Sequence, residues 1–184
     1  MRIIAGSAKR REIKVPKAVV RPTTDRTREA LFSMIHAYVE SAKVLDLFAG
    51  AGSLGIEALS RGAASCDFVD MNKICTMCVQ ENLQKLDLRG GVVVTADVLG
   101  HVKRLSGQYD IIFADPPYYK KPGDRDFVSE LLAEENLAQI LAVDGLLIVE
   151  VDAKHSPDVP KQWKQLDKRR YGSCVIMFLQ RIEM

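Results

Sequence analysis

The sequence is poor in aromatic residues, in cysteine and in long apolar runs. Of its 184 residues 7% are aromatic, one of them tryptophan, and four are cysteine. Four cysteines are too few for the disulfide-dense scaffold of a small secreted module. The longest apolar stretches, such as residues 145–151, fall far short of the roughly 20 residues needed to cross a bilayer, so no membrane span is expected. Nor do the first residues, Met1-Arg2-Ile3-Ile4-Ala5-Gly6, carry a long h-region or a small-residue cleavage pattern, and the expected location is the cytoplasm. His36, His101 and His155 show no ligand spacing, and no metal is expected. What remains, 47% hydrophobic and 27% charged residues with 12 Gly and 7 Pro, excludes collagen, coiled coil and disordered tail. A chain of this length buries roughly 70% of its unfolded surface, enough for a substantial core.

The four cysteines, Cys66, Cys75, Cys78 and Cys174, are expected to remain thiols. Cys75-x-x-Cys78 invites a redox or zinc reading, but it falls in a helical stretch with no second pair to complete four ligands.

Net charge is +2. Residues 1–28 alone hold nine Lys or Arg against Glu12 and Asp25, a local +7 that leaves −5 for the rest. Such a segment contacts a polyanion or stands as a solvated face. Ile3 and Ile4, then Ile13 and Val15, flank Gly6-Ser7-Ala8-Lys9, a pattern of two short strands about a turn. Residues 1–20 are therefore expected to form a basic β-hairpin extension, and residues 21–184 the main domain.

Beyond Pro16 and Pro22 the apolar spacing of Ala30, Leu31, Met34, Ile35 and Tyr38 predicts a helix over about residues 25–40. Strands follow at about 44–48, 66–69, 92–95, 109–113 and 146–151. Helices are expected between them, to about 61, over 72–86, over 98–105 and over 125–141. Nearly continuous apolar strands alternating with helices predict an α/β, mostly parallel sheet covered on both faces. Residues 163–166 and 174–179 predict a closing antiparallel hairpin.

Ligands bind such sheets beyond the carboxyl ends of the strands, where strand order reverses. After the first strand the sequence reads Asp46-Leu47-Phe48-Ala49-Gly50-Ala51-Gly52-Ser53-Leu54-Gly55-Ile56-Glu57. Gly50 and Gly52 let a ligand approach the backbone, and a helix N-terminus opens near Ser53. The Gly50-x-Gly52-x-x-Gly55 match alone is weak. Asp70, ending the second strand, stands where a carboxylate accepts from both ribose hydroxyls. Asp46 would repel a pyrophosphate but favour a sulfonium cofactor bearing an ammonium group, or else caps loop amides. Asp97 either accepts from an adenine amine or caps the helix beginning at Val98.

Asp115-Pro116-Pro117-Tyr118 follows the fourth strand directly. Two prolines stiffen the turn, so the Asp115 carboxylate and the Pro116 carbonyl form a fixed pair of acceptors beside the Tyr118 ring. That arrangement suits an exocyclic amine on a flat base. Accepting its N–H bonds frees the nitrogen lone pair for an electrophilic methyl group, while the tyrosine stacks on the base. The plainer reading is a proline-terminated strand with a packed tyrosine.

With these blocks in view, the chain resembles the Rossmann-like S-adenosylmethionine-dependent methyltransferases, and specifically the bacterial 16S rRNA guanine-N2 methyltransferase family. The resemblance runs over essentially the whole chain. It rests on Arg2-Ile3-Ile4-Ala5-Gly6, on the block from Arg21-Pro22-Thr23-Thr24-Asp25-Arg26 to Phe32, on Leu45 to Ala63, and on Asp115-Pro116-Pro117-Tyr118. The family often has Glu at the position of Asp70 and Phe at that of Tyr118; both departures are conservative. The resemblance implies methyl transfer from S-adenosyl-L-methionine to a guanine amine of 16S rRNA, within a 30S subunit or an assembly intermediate, by a monomer. The candidate catalytic residues are Asp115, Pro116, Pro117 and Tyr118. Cofactor binding falls to Asp46, Phe48, Ala49, Gly50, Gly52, Ser53, Asp70, Met71, Asp97, Val98 and Asp115. RNA contact falls to Arg2, Lys9, Arg10, Arg11, Arg21, Arg26, Arg28, Lys120 and Lys121; the other readings are a structural salt-bridge role for Arg21, Arg26 and Arg28 and solvated side chains for Lys120 and Lys121. Three rival readings are an adenine-N6 methyltransferase, an NAD-dependent oxidoreductase and a non-catalytic ribosome-assembly factor.

Overall fold

The computed structural model describes residues 1–16, 24–119, 121, 123–155 and 157–182. In chain order its elements are α1 (Asp25–Met34), α2 (His36–Val39), β1 (Lys43–Leu47), α3 (Ser53–Ser60), β2 (Ser65–Asp70), α4 (Lys73–Leu86) and β3 (Gly91–Thr95). Then come α5 (Val98–Val102), β4 (Tyr109–Ala114), α6 (Phe127–Ala133), α7 (Glu135–Ile140), β5 (Leu141–Asp152), β6 (Trp163–Tyr171) and β7 (Cys174–Arg181). One seven-stranded sheet has the order β3-β2-β1-β4-β5-β7-β6. β1 to β5 pair in parallel, while β7 runs antiparallel to both β5 and β6. This is the α/β sheet with a closing hairpin that the sequence pattern predicts.

Apolar strands buried on both faces divide the core in two. On one face Val44, Phe68, Ile111, Phe113, Ile148 and Phe178 pack with α1, α3 and α4. On the other, Leu45, Leu47, Ile112, Leu147, Val149 and Met177 pack with α5, α6 and α7. Strand residues alternate between the two clusters because successive side chains leave a strand on opposite sides. Phe32 and Phe113 lock α1 to the sheet, their ring centroids 5.8 Å apart and tilted. Each fully buried side chain of this size contributes about 1.5–3 kcal/mol relative to exposure.

Three local expectations differ from the structure. The helix expected over 25–40 breaks at Ile35, which leaves helical geometry and is buried in the core. The helix expected over 125–141 is two short helices, because Glu134 is extended and its side chain accepts from Asn136 N to start α7. At the N-terminus, the two expected strands reduce to a single antiparallel bridge, Arg2 with Glu12. Ile3 N still donates to Arg11 O, Arg10 N to Ile3 O and Ile13 N to Met1 O, while other backbone groups of residues 4–14 bond α3 and α4.

Ile3, Ala8 and Ile13 are buried in the same core cluster as α1, α3 and α4. Ile4 N and Ala5 N donate to the two carboxylate oxygens of Glu57, at 2.9 and 3.0 Å. Ser60 accepts from Ala8 N and donates to Ala5 O, and Ser7 N donates to Ser60 O. Gly6 has φ +82°, and a Cβ there would stand 1.7 Å from Ser60 O, so only glycine permits this approach. The backbone of Lys14 is bonded by Asn82 on α4, whose amide also donates to Ala51 O. The basic segment is thus clasped along α3 and α4.

Candidate functional site

Strand order reverses between β1 and β4: the chain leaves β1 toward β2 and β3, then returns to β4 on its other side. Leu47 pairs with Ala114, and Asp115 N approaches Leu47 O at 3.4 Å. The glycine turn after β1 and the proline turn after β4 therefore open side by side on one crevice.

The crevice floor is built by backbone bonds. Ala49 N donates to Val69 O and Gly52 N to Ala49 O, with positive φ at Phe48, Gly50 and Gly52. Gly50 N donates to Asp70 Oδ2 at 2.9 Å, while Asp70 Oδ1 accepts from Asn72 N at 2.8 Å. Gly55 serves packing: a Cβ there would meet Phe68 Cε1 at 2.3 Å and Cys66 Sγ at 2.5 Å. Asp46 is buried beneath the turn and accepts from Gly55 N at 2.9 Å, the loop-amide cap that was one of its two readings. Burial pushes its carboxyl up to about 7, against the Gly55 amide and with the nearby Asp70 charge.

Asp97 is exposed and caps α5, accepting from Gly100 N at 2.7 Å. Val98 is buried, Met71 is exposed, Ala49 and Gly50 are buried and Ser53 is half-buried at the start of α3. Phe48 packs edge-on against Phe127, with centroids 5.4 Å apart. Asp70 is level with Thr95, so the ends of β2 and β3 bring Asp70 and Asp97 to the same side.

At the second turn Pro116 is buried, Pro117 exposed, and Asp115 and Tyr118 half-buried. Tyr118 donates from its hydroxyl to Glu150 Oε1 at 2.5 Å. Burial first, and the Glu150 bond second, hold that phenol far above its usual range, so it stays a neutral ring. Glu150 was not singled out from sequence. Its sole signal was an acid inside the apolar run of β5.

The cationic residues separate widely. Arg2 pairs with Glu12 at 3.4 Å, and Lys9 and Arg10 are exposed on the turn. Arg11 donates from its guanidinium to Leu86 O at 2.7 Å and to Lys85 O, the last carbonyls of α4. That end of α4 lies about 21 Å from the crevice end, at about 1.5 Å per residue. Arg26 and Lys121 are exposed. Arg28 corrects the expectation of RNA contact: its side chain is fully buried, facing Glu57 at 3.7 Å and Asp25 at 3.0 Å. It also donates to Arg2 O and Met1 Sδ. Burial disfavours its charged form, and the Glu57 and Asp25 carboxylates oppose that effect. Arg21 and Lys120 lie outside the described residues.

Glu57, Ser60 and Asn82, which anchor the N-terminal segment, were also missed by sequence reading. A lone glutamate among Leu54, Ile56, Ala58 and Leu59 was the available signal. The cysteines are free and buried, and burial pushes the Cys75 thiol up to about 11. No group of three or more His, Cys, Asp or Glu among the described residues is arranged to hold a metal ion. No helix of the described residues is long and apolar enough to cross a membrane.

Comparison with known proteins agrees with this architecture. The chain is similar to YlbH of Bacillus subtilis, 38% identical over 179 residues that cover 94% of each chain. It is 32% identical over 183 residues to ribosomal RNA small subunit methyltransferase D of Escherichia coli, covering 98% of this chain and 90% of the relative. The solved structure of yhhF from Escherichia coli superposes with a TM-score of 0.85 at 32% identity, covering 98% of this chain and 97% of that one. The family described as conserved hypothetical protein 95 matches residues 1–180, and the chain belongs to it.

Proposed function

We propose that this protein is an S-adenosylmethionine-dependent methyltransferase acting on the exocyclic N2 amine of a guanine in small-subunit ribosomal RNA. The observation that carries this reading is the Leu47 to Ala114 pairing, which sets the glycine turn and the Asp115 turn on one crevice. The small-subunit methyltransferase relative at 32% identity supports the substrate class. Its RNA is read as part of a 30S subunit or an assembly intermediate, bound by a monomer of this chain.

The donor set fits the cofactor. Carboxylates at Asp70 and Asp97 along the strand ends match ribose hydroxyls and an adenine amine rather than a phosphate, while Asp46, buried beneath the turn on the Gly55 amide, positions the loop. Residues holding it are Asp46, Phe48, Ala49, Gly50, Gly52, Ser53, Asp70, Met71, Asp97, Val98 and Asp115. When bound, the cofactor supplies an electrophilic methyl group on a sulfonium.

The chain's own residues prepare the acceptor. The Asp115 carboxylate and the Pro116 carbonyl accept the two amine hydrogens, so the nitrogen lone pair turns out of the base plane. Asp115 then eases loss of the proton, a contribution worth about 10²–10⁴-fold. Pro117 stiffens the turn. Tyr118, kept neutral and tethered to Glu150, offers a flat face for a base drawn out of a loop. On the RNA side, Arg2, Lys9, Arg10, Arg26 and Lys121 supply exposed cations, the first three on residues 1–20 as a basic extension of the main domain.

Labelled-methyl transfer to the 16S rRNA of 30S subunits and assembly intermediates from cells lacking the enzyme tests the reading. Asp115→Ala is expected to lower turnover by at least about 10²-fold while circular dichroism and thermal unfolding stay as in wild type. Ordinary turnover in that folded variant would remove Asp115 from the chemistry. Transfer to an adenine amine instead would favour the N6 reading.

A further inference from the structure

The β6–β7 hairpin turns at the same end of the sheet as the crevice. β7 is antiparallel to β5, and β6 is antiparallel to β7, so β6 runs in the direction of the five parallel strands. Its carboxyl end is their carboxyl end. The pairing fixes the level: Ala114 lies beside Val149, Val149 beside Met177, and Met177 beside Lys168. One residue further along, Glu150 is level with Ile176 and Ile176 with Arg169. Arg169 thus stands in the row of Asp115, three strand spacings away, about 14 Å at about 4.8 Å each.

Lys168, Arg169 and Arg170 are all exposed on this edge strand. Lys168 and Arg170 share rows with Met177 and Val175, whereas Arg169 shares one with Ile176, so the cations alternate on the two faces. Arg169 donates to Asp167 at 2.8 Å, and Arg170 donates from Nε to Gly172 O at 3.2 Å, which steadies its stem at the hairpin tip. The neighbouring carboxylates are engaged: Asp152 accepts from Lys154 N at 2.8 Å, and Glu150 accepts from Tyr118. A polyanion whose base enters the crevice passes within reach of this tip.

We propose that the tip formed by Lys168, Arg169 and Arg170 is a phosphate-binding surface for the substrate RNA, flanking the crevice on the side of β5. This rests on the RNA reading above. A different use for cations on an edge strand is to block pairing with other chains, and that use predicts no effect on RNA.

The test is filter binding of full-length protein to 30S subunits and assembly intermediates that carry unmethylated 16S rRNA, between about 50 and 200 mM salt, with steady-state methyl transfer alongside. For Lys168→Glu with Arg170→Glu, the slope of log affinity against log salt is expected to fall by about 1–2. KM for RNA should rise about tenfold or more, with kcat at saturating RNA unchanged. Lys168→Gln with Arg170→Gln, which adds no repulsion, should show about half that change in KM on a logarithmic scale. A reversal variant with wild-type slope and KM overturns the proposal, whether or not sedimentation finds it self-associating. Wild-type protein that neither binds nor methylates those particles overturns the RNA reading itself.

Discussion

Two basic stretches of this chain meet different surroundings: one is clasped along α3 and α4, the other rides the edge strand β6. Residues 1–14 carry Arg2, Lys9, Arg10, Arg11 and Lys14, and residues 164–170 carry Lys164, Lys168, Arg169 and Arg170. Arg11 closes the far end of α4, Lys14 pairs with Glu81 at 2.7 Å, and the backbone ahead of them, at Ile4, Ala5 and Ala8, is held by Glu57 and Ser60. The second stretch rides an exposed edge strand level with the Asp115 turn. Counting charge along a sequence therefore locates cations without saying what they are for. Helix ends, with their unpaired carbonyls, capture some of them for structure.

The largest expected effect concerns what anchors the first stretch. Glu57→Ala removes the carboxylate facing buried Arg28 and the acceptor of two backbone amides. Breaking such a buried pair costs about 3–5 kcal/mol, read as a lower urea midpoint. A change below about 1 kcal/mol would mean the clasp is dispensable. The contrast with Asp46 sharpens the point, because that buried carboxylate has an amide as its bonded partner and a second carboxylate, Asp70, nearby.

With Asp46 raised from 3.8 to about 7 on folding, the native state holds an extra proton between those values. Unfolding free energy should therefore fall as pH rises from about 4 to about 7, by about 4 kcal/mol from this group. Asp46→Asn, which still accepts from Gly55, should flatten that trend and exceed wild type in stability at pH 7.5. Urea unfolding across pH reads both, and parallel curves for the two proteins would refute it.

A smaller effect separates the two stretches directly. Lys9→Glu with Arg10→Glu should reduce the salt slope of RNA binding by less than the paired reversal at Lys168 and Arg170. The opposite order would make the N-terminal turn the principal grip. Smallest of all, Arg11→Met should cost about 1 kcal/mol of stability through the lost closure of α4, with RNA affinity unchanged at matched folding.

Much of the crevice was legible beforehand. Buried parallel strands read as continuous apolar runs, and Gly50, Gly52, Asp70 and Asp115 follow such runs directly, so connection order alone brought them to one end. The breaks at Ile35 and Glu134 were not legible, since helical periodicity continues through both. Arg28 and Glu57 escaped for a different reason. Each has a near partner in sequence, Asp25 for Arg28 and Arg61 for Glu57, but the two buried charges face each other across 29 residues, and no local pattern shows that they are buried.

The sequence by itself determined the alternation of strands and helices, the two turns that frame the crevice and the surplus of positive charge near the N-terminus. Apolar periodicity, glycine and proline act over a few residues, within the reach of local reading. Only the tertiary structure decided which cations close a helix or neutralise a buried carboxylate and which stand beside the crevice. Those assignments depend on strand pairing and burial between segments far apart in the chain, where desolvation sets the cost of a charge.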